Sequence, residues 1–373
     1  MGPRPLALAG GIVLGIGYIL GGFLGKSFLA QLLCIGLIGG AGIGLAYVVP
    51  IAVCVKWFPD KKGMITGLAV AGFGFGATIW VKLAGGFTSL LWLVPVEFPG
   101  LLNMLEGMMG LPGVQAVFLV YGVVFLVLVV LGSLVMVNPP DGWLPAGYTP
   151  PEATDVKATG MVDLETGEML RTPQFYGLFL MFTGSALAGL MVIYCIRLFG
   201  IDALQASGVA DDMVAAGRIA GSAMAIYSIL NGLGRIIWGT VSDWIGRKAS
   251  LVLMCFLQGA MMLVFYKVGG TELGLIVGAS VIGFNFGGNF ALFPAATADF
   301  FGNKNVGKNY GWVFLAYGVA GIAGPQIAGF FKDAAAGGDV KAWLTPFVIA
   351  GVACLIAGGI GLLLTPPKHK PAT

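Results

Sequence analysis

Long apolar runs divide this chain, and short polar breaks separate them. The runs fall at about 5–25, 28–56, 64–91, 113–137, 174–198, 214–241, 249–268, 273–299, 309–331 and 343–365. Each reaches the length of about 20 residues that a helix needs to cross roughly 30 Å of hydrocarbon. A membrane barrel would instead alternate apolar and polar positions over segments of about ten residues, and this chain does not. The pattern therefore predicts ten transmembrane helices. The breaks carry turn-forming residues, as in Pro59-Asp60-Lys61-Lys62-Gly63, Asn138-Pro139-Pro140-Asp141-Gly142 and Gly302-Asn303-Lys304-Asn305. Two segments stand apart. Residues 138–172 form the one long polar connection, with six acidic residues. They predict a cytoplasmic linker between an incomplete four-helix bundle over 1–137 and a six-helix bundle with its tail over 173–373. Residues 92–112 are apolar but broken by Pro95, Pro99 and Pro112, and they carry Glu97 and Glu106. Their unbroken runs are too short to span, so an external interfacial or re-entrant loop is expected.

Composition agrees with the pattern. The 373 residues are 58% hydrophobic and 10% charged, against about 25% charged in a soluble domain. Sixty-two glycines suit helices packed through small residues. The net charge of +3 matters less than its placement. Lys and Arg gather on alternate loops: Arg4; Lys56, Lys61 and Lys62; Lys157 and Arg171; Arg247 and Lys248; Lys304 and Lys308; Lys368 and Lys370. The positive-inside rule then puts both termini in the cytoplasm of a multi-pass protein of a cell membrane, plasma or bacterial inner. The five cysteines, Cys34, Cys54, Cys195, Cys255 and Cys354, are scattered singly, without metal or disulfide spacing. The single histidine, His369, lies in the polar tail, so no histidine relay crosses the membrane. No nucleophile–base pair, metal cluster or nucleotide loop is visible. An enzyme, a cofactor and a nucleic-acid partner are not expected, and a monomer in the bilayer is.

One charge stands where the pattern forbids it. Arg235 lies within the largely apolar stretch Met224–Trp238, eight residues before Asp243. At about 1.5 Å per residue it sits roughly 12 Å below that polar loop, near the middle of a core about 30 Å thick. A guanidinium at that depth costs at least about 2.5–3.5 kcal/mol and ordinarily faces a protein interior or wet cavity with an anionic partner. The hydrophobic segments offer almost no internal carboxylate, which points to an anionic substrate. The alternative is that Arg235 caps carbonyl groups or braces two halves of the molecule. Ser228, Asn231 and Arg235 follow at i, i+3 and i+7 and share a helical face.

Sliding the chain on itself by 244 residues aligns Gly15 with Gly259, Gly44 with Gly288, Pro50 with Pro294, Gly63 with Gly307, Gly67 with Gly311 and Gly74 with Gly318. Equal spacing over this length predicts two parallel repeats, the arrangement that places transport sites at the repeat interface. The second copy has two helices that the first lacks. The expectation is a six-plus-six plan present here as four plus six; a natural ten-helix protein is the alternative.

The tract Gly239-Thr240-Val241-Ser242-Asp243-Trp244-Ile245-Gly246-Arg247-Lys248 resembles the cytoplasmic loop motif of the major facilitator superfamily. Lys56-Trp57-Phe58-Pro59-Asp60-Lys61-Lys62-Gly63, with Gly67 and Ala71-Gly72-Phe73-Gly74-Phe75-Gly76-Ala77, is similar to the oxalate/formate antiporter and monocarboxylate transporter branch, as is Asn138-Pro139-Pro140-Asp141-Gly142-Trp143. The resemblance covers the chain from the third family helix onward. It implies an all-α membrane bundle with ten of the usual twelve helices. It also implies alternating access around a cavity between two bundles, and Asp243, Gly246 and Arg247 as a cytoplasmic gate motif. In that branch an arginine on the eighth helix binds substrate carboxylate, and Arg235 matches it. Asn231 stands where animal relatives tend to have an aspartate linked to proton coupling. An amide cannot titrate, so any coupling proton would travel on the substrate. Oxalate exchangers carry a lysine in the eleventh helix, where this chain has Tyr317. One fixed cation suits a monocarboxylate of the lactate, pyruvate or formate type better than a dianion. An anion antiporter, a transport-inactive truncated relative and a membrane receptor are the alternatives.

The remaining candidates for a substrate site are aromatic. Tyr47, three residues before Pro50, presents its hydroxyl to a cavity or simply packs. Phe286 and Phe290, one turn apart, form one apolar wall; Phe314 and Tyr317 form another; Phe73 faces the matching region of the first half. The alternative for each is helix packing. Lys82 is read as snorkelling, and Arg197 and Arg218 as anchors at the outer boundary or parts of a gate.

Overall fold

In a computed structural model the protein is described over residues 2–86, 97–148, 163–335 and 339–367. His369, Lys368, Lys370 and Lys157, together with residues 87–96 and the linker stretch 149–162, lie outside these. Among the described residues the long elements are all helices, and ten are long and apolar enough to cross a membrane. They are α1 (Pro3–Leu24); α2 (Phe28–Gln31) running through a π-helical stretch, Leu32–Gly39, into α3 (Gly40–Trp57); α4 (Lys62–Gly85); α6 (Gly113–Ser133); α8 (Pro173–Ala206); α9 (Met213–Ile245); α10 (Arg247–Val268); α11 (Glu272–Phe301); α12 (Val306–Ala335); and α13 (Leu344–Leu363), entered through a 3-10 turn, Val340–Trp343. Two short helices, α5 (Leu101–Met109) and α7 (Thr166–Met169), lie between spans.

Local chemistry explains where the helices begin. Thr172 accepts from the Phe175 amide with Pro173 in the first turn of α8. Asp212 accepts from Ala215 at the start of α9, and Thr271 from Gly274 at the start of α11. Each such cap contributes about 1 kcal/mol. The ends differ more from expectation. Hydropathy ends the α8 run near 198, but the helix continues to Ala206, because Ala203 and Leu204 are buried and Asp202 accepts a 2.8 Å hydrogen bond from Trp343. The run expected over 64–91 is helical to Gly85, and Gly86 has a positive φ of 86°. Within the segment 92–112, residues 92–96 lie outside the described residues. The rest contains α5, nine largely exposed residues that are too short to span.

Contacts divide the chain into two compact units, residues 1–57 with 76–143 and residues 58–75 with 144–373. In the first, α1 packs on α6 and α3 through glycine faces; a methyl group added at Gly15 would press on the Gly122 carbonyl. Trp57 donates to the Val137 carbonyl, and Trp143 donates to that of Trp57, tying the start of the linker to the end of α3. The second unit is organised around α11. Every residue from Asn285 to Phe301 is buried, as expected of a helix enclosed on all sides. Gly234 lies against the Phe284 carbonyl and Gly287 against that of Asn231, leaving no room for side chains. These small residues bring α9 close to α11 and fix where Asn231 and Arg235 can point.

Candidate functional site

Arg235 is 4% exposed. Its Nε and Nη2 donate to Asn231 Oδ1 at 3.1 and 3.0 Å, and its Nη1 donates to the Val70 carbonyl of α4 at 2.8 Å. Its Cζ lies 4.2 Å from the centroid of Phe290. A cation over a desolvated ring gains about 2 kcal/mol. Asn231 sits one turn before Arg235, so its amide oxygen meets the side of the guanidinium that helical spacing presents. That amide orients the cation without neutralising it. The Val70 bond realises in part the carbonyl-capping alternative.

The aromatic pairs join into one cluster. Phe286 and Phe290 lie 5.2 Å apart; Phe290 and Tyr317 lie 5.3 Å apart; Phe314 and Tyr317 stack at 5.2 Å. Phe182 extends the cluster from α8, stacked on Phe293 at 4.3 Å and 6.0 Å from Phe314. Arg235, Asn231, Phe286, Phe290, Phe314 and Tyr317 thus fall into one neighbourhood of the second unit. Phe73, one turn beyond Val70 on α4, is exposed. Tyr47 is buried on α3 in the first unit.

A second set of charges gathers at the end of α9 where α10 begins. Gly246 turns the chain with φ of 90°, a conformation that favours glycine. Asp243 accepts from the amides of Gly63 and Met64, at 3.0 and 2.9 Å, in the first turn of α4, where a carboxylate complements the helix dipole. Arg247 bonds Asp243 Oδ1 at 2.7 Å through Nη2, Asp299 Oδ2 at 2.8 Å through Nε, and the Ser242 hydroxyl through Nη1. Lys62 completes the network with a 2.8 Å ion pair to Asp299 Oδ1. Asp299 therefore pairs with two cations at once, buried Lys62 and largely covered Arg247. Asp299→Ala leaves Lys62 without an ion pair among the described residues and Arg247 with Asp243 alone, and is expected to cost about 3–5 kcal/mol. Asp243→Asn, which leaves the Asp299 pairs intact, should cost less. Thermal melting of the purified variants in one detergent checks this, and an unchanged midpoint for Asp299→Ala would contradict it.

Sequence reasoning found Asp243, Gly246 and Arg247 but missed Lys62, Asp299 and Ser242 as their partners. A carboxylate at the tail of the apolar run Ala295-Ala296-Thr297-Ala298-Asp299 was the available signal. The Val70 carbonyl has no signal in sequence, because any residue supplies one.

A model of the Major Facilitator Superfamily matches residues 1–216 and 206–373. The chain is 27% identical over 372 residues to the oxalate:formate antiporter of Oxalobacter formigenes, covering 99% of this chain and 77% of that protein. It is 28% identical over 348 residues to apicoplast pyruvate carrier 1 of Toxoplasma gondii, covering 84% and 62% respectively. Among solved structures, the Escherichia coli fucose:proton symporter FucP overlays with a TM-score of 0.64 over 97% of this chain and 84% of that one. At 14% identity that likeness is one of fold.

Proposed function

Because this chain belongs to the Major Facilitator Superfamily, as a multi-pass membrane protein of ten described spans, we propose that it is a secondary active transporter of small monocarboxylates. The substrates are of the lactate, pyruvate or formate type, and they are carried by alternating access. Arg235 binds the carboxylate, a coupling proton travels with the substrate, and both termini face the cytoplasm. The observation that carries this reading is the setting of Arg235, buried in the span α9, aimed by an amide and a carbonyl and backed by Phe290. A carboxylate meeting the Nη1–Nη2 end would gain two charge-assisted hydrogen bonds. Phe290, Phe286, Phe314 and Tyr317 would bound a short alkyl chain, with Phe73 as a further lining residue. Asn231 serves by holding the guanidinium. Asp243, Gly246 and Arg247 form a gate motif, and the helices divide as bundles over 1–137 and 173–373 with the linker 138–172. The names of the two relatives, an oxalate:formate antiporter and a pyruvate carrier, agree with a small carboxylate. The first also favours exchange as a second mode.

Reconstitution into liposomes tests the proposal. Labelled formate, pyruvate and lactate should enter saturably. Uptake should rise as external pH falls if the proton travels with the substrate, and internal carboxylate should stimulate it if exchange dominates. Oxalate should compete weakly. Binding of a monocarboxylate without flux would overturn transport in favour of a receptor or inactive relative; flux of oxalate alone would overturn the substrate class.

A further inference from the structure

We infer that the groove between the end of α8 and the start of α9 is a binding site for an anionic phospholipid. Arg197, Leu198 and Ile201 of α8, with Met213, Val214, Gly217 and Arg218 of α9, enclose a volume of about 520 Å³. That is the size of a site for a drug-sized molecule and exceeds what a one- to three-carbon acid fills. Its walls are apolar and its only charged groups are two guanidinium groups. Neither Arg197 nor Arg218 forms an ion pair among the described residues. Of the neighbouring acids, Asp202 accepts from Trp343 at 2.8 Å, Asp212 caps its own helix through the Ala215 amide at 2.7 Å, and exposed Asp211 forms no ion pair among the described residues. No carboxylate among the described residues thus pairs with either guanidinium of the groove.

Position along the helices gives the membrane level. Arg218 precedes Asp243 by 25 residues on one continuous helix, roughly 38 Å, more than the hydrocarbon thickness of about 30 Å. The groove therefore lies at the boundary opposite the Asp243–Arg247–Asp299 network, at headgroup level. Exposed Met213 and Val214 form its open lip. A phosphodiester between two planar forks accepts paired hydrogen bonds, while an acyl chain lies along Leu198, Ile201 and Val214. Neither group alone matches both the cations and the apolar walls. The inference stands apart from the carboxylate reading, since none of these residues touches Arg235 or its cluster.

The test is titration of the purified full-length protein in detergent with phosphatidylglycerol, read as bound adducts by native mass spectrometry, beside phosphatidylcholine. Selective retention of phosphatidylglycerol is expected. Arg197→Ala and Arg218→Ala should each weaken it about fivefold and together about 30-fold. Lys304→Ala with Lys308→Ala removes the same charge elsewhere and should leave retention unchanged. Both arginines are exposed, so melting should be little altered; Arg197→Lys with Arg218→Lys, which keeps the charge, should retain part of the preference. Equal binding of the two lipids, equal loss in the lysine control, or full displacement by millimolar inorganic phosphate (which would make the groove a simple anion site) would each overturn the inference.

Discussion

Replacing Arg235 with lysine is expected to remove most monocarboxylate uptake while leaving the protein in the membrane at normal abundance. The guanidinium makes three hydrogen bonds at once, two to Asn231 Oδ1 and one to the Val70 carbonyl. These fix its plane over Phe290 and set the direction from which a carboxylate can approach. A lysine has a single nitrogen. It can satisfy Val70 or Asn231, or meet a substrate, but it has no rigid fork with which to do these together. Losing one charge-assisted hydrogen bond costs about 1.5–3 kcal/mol, a fall in affinity of about 10- to 150-fold. The charge and the length of the side chain remain, so folding should not suffer greatly. Initial uptake rates at substrate concentrations below the wild-type KM, normalised to the amount of reconstituted protein, give the comparison. Rates equal to wild type would remove Arg235 from the binding role.

The parts of this arrangement differ in how openly the sequence announces them. Spans were legible because a hydrocarbon slab imposes one length on every helix, and ten runs of suitable length recur along the chain. Helix ends were less so. The extension of α8 to Ala206 depends on Trp343, 141 residues distant, whose indole N–H donates to Asp202. Arg235 announced itself by depth alone, and its relation to Asn231 followed from helical spacing. The bond to Val70 did not, because it joins helices far apart in sequence. The same division holds for the aromatic residues. Phe286 with Phe290 and Phe314 with Tyr317 are neighbours by helical period, whereas the joining of the two pairs through Phe290 and Tyr317, and the entry of Phe182, are tertiary facts. In the charge network, the Asp243–Arg247 pair follows from the loop motif that carries the family resemblance, not from helical spacing, because the chain turns at Gly246 between them. Asp299 and Lys62 reach it from α11 and α4, and only the close approach of those helices brings them there.

Asn231→Asp should remove most monocarboxylate uptake at neutral pH. The amide oxygen of Asn231 already lies 3.1 and 3.0 Å from Nε and Nη2 of Arg235, so an aspartate there would make a side-on ion pair with no rearrangement. Buried in a span, that pair gains much of its strength from the low surrounding dielectric. The cation then meets the substrate already compensated, and an incoming carboxylate also faces a like charge. Uptake at neutral pH is expected to fall at least about tenfold, the equivalent of one charge-assisted contact. Initial uptake rates normalised to the amount of reconstituted protein give the comparison, and rates equal to wild type would mean that the guanidinium does not receive the substrate.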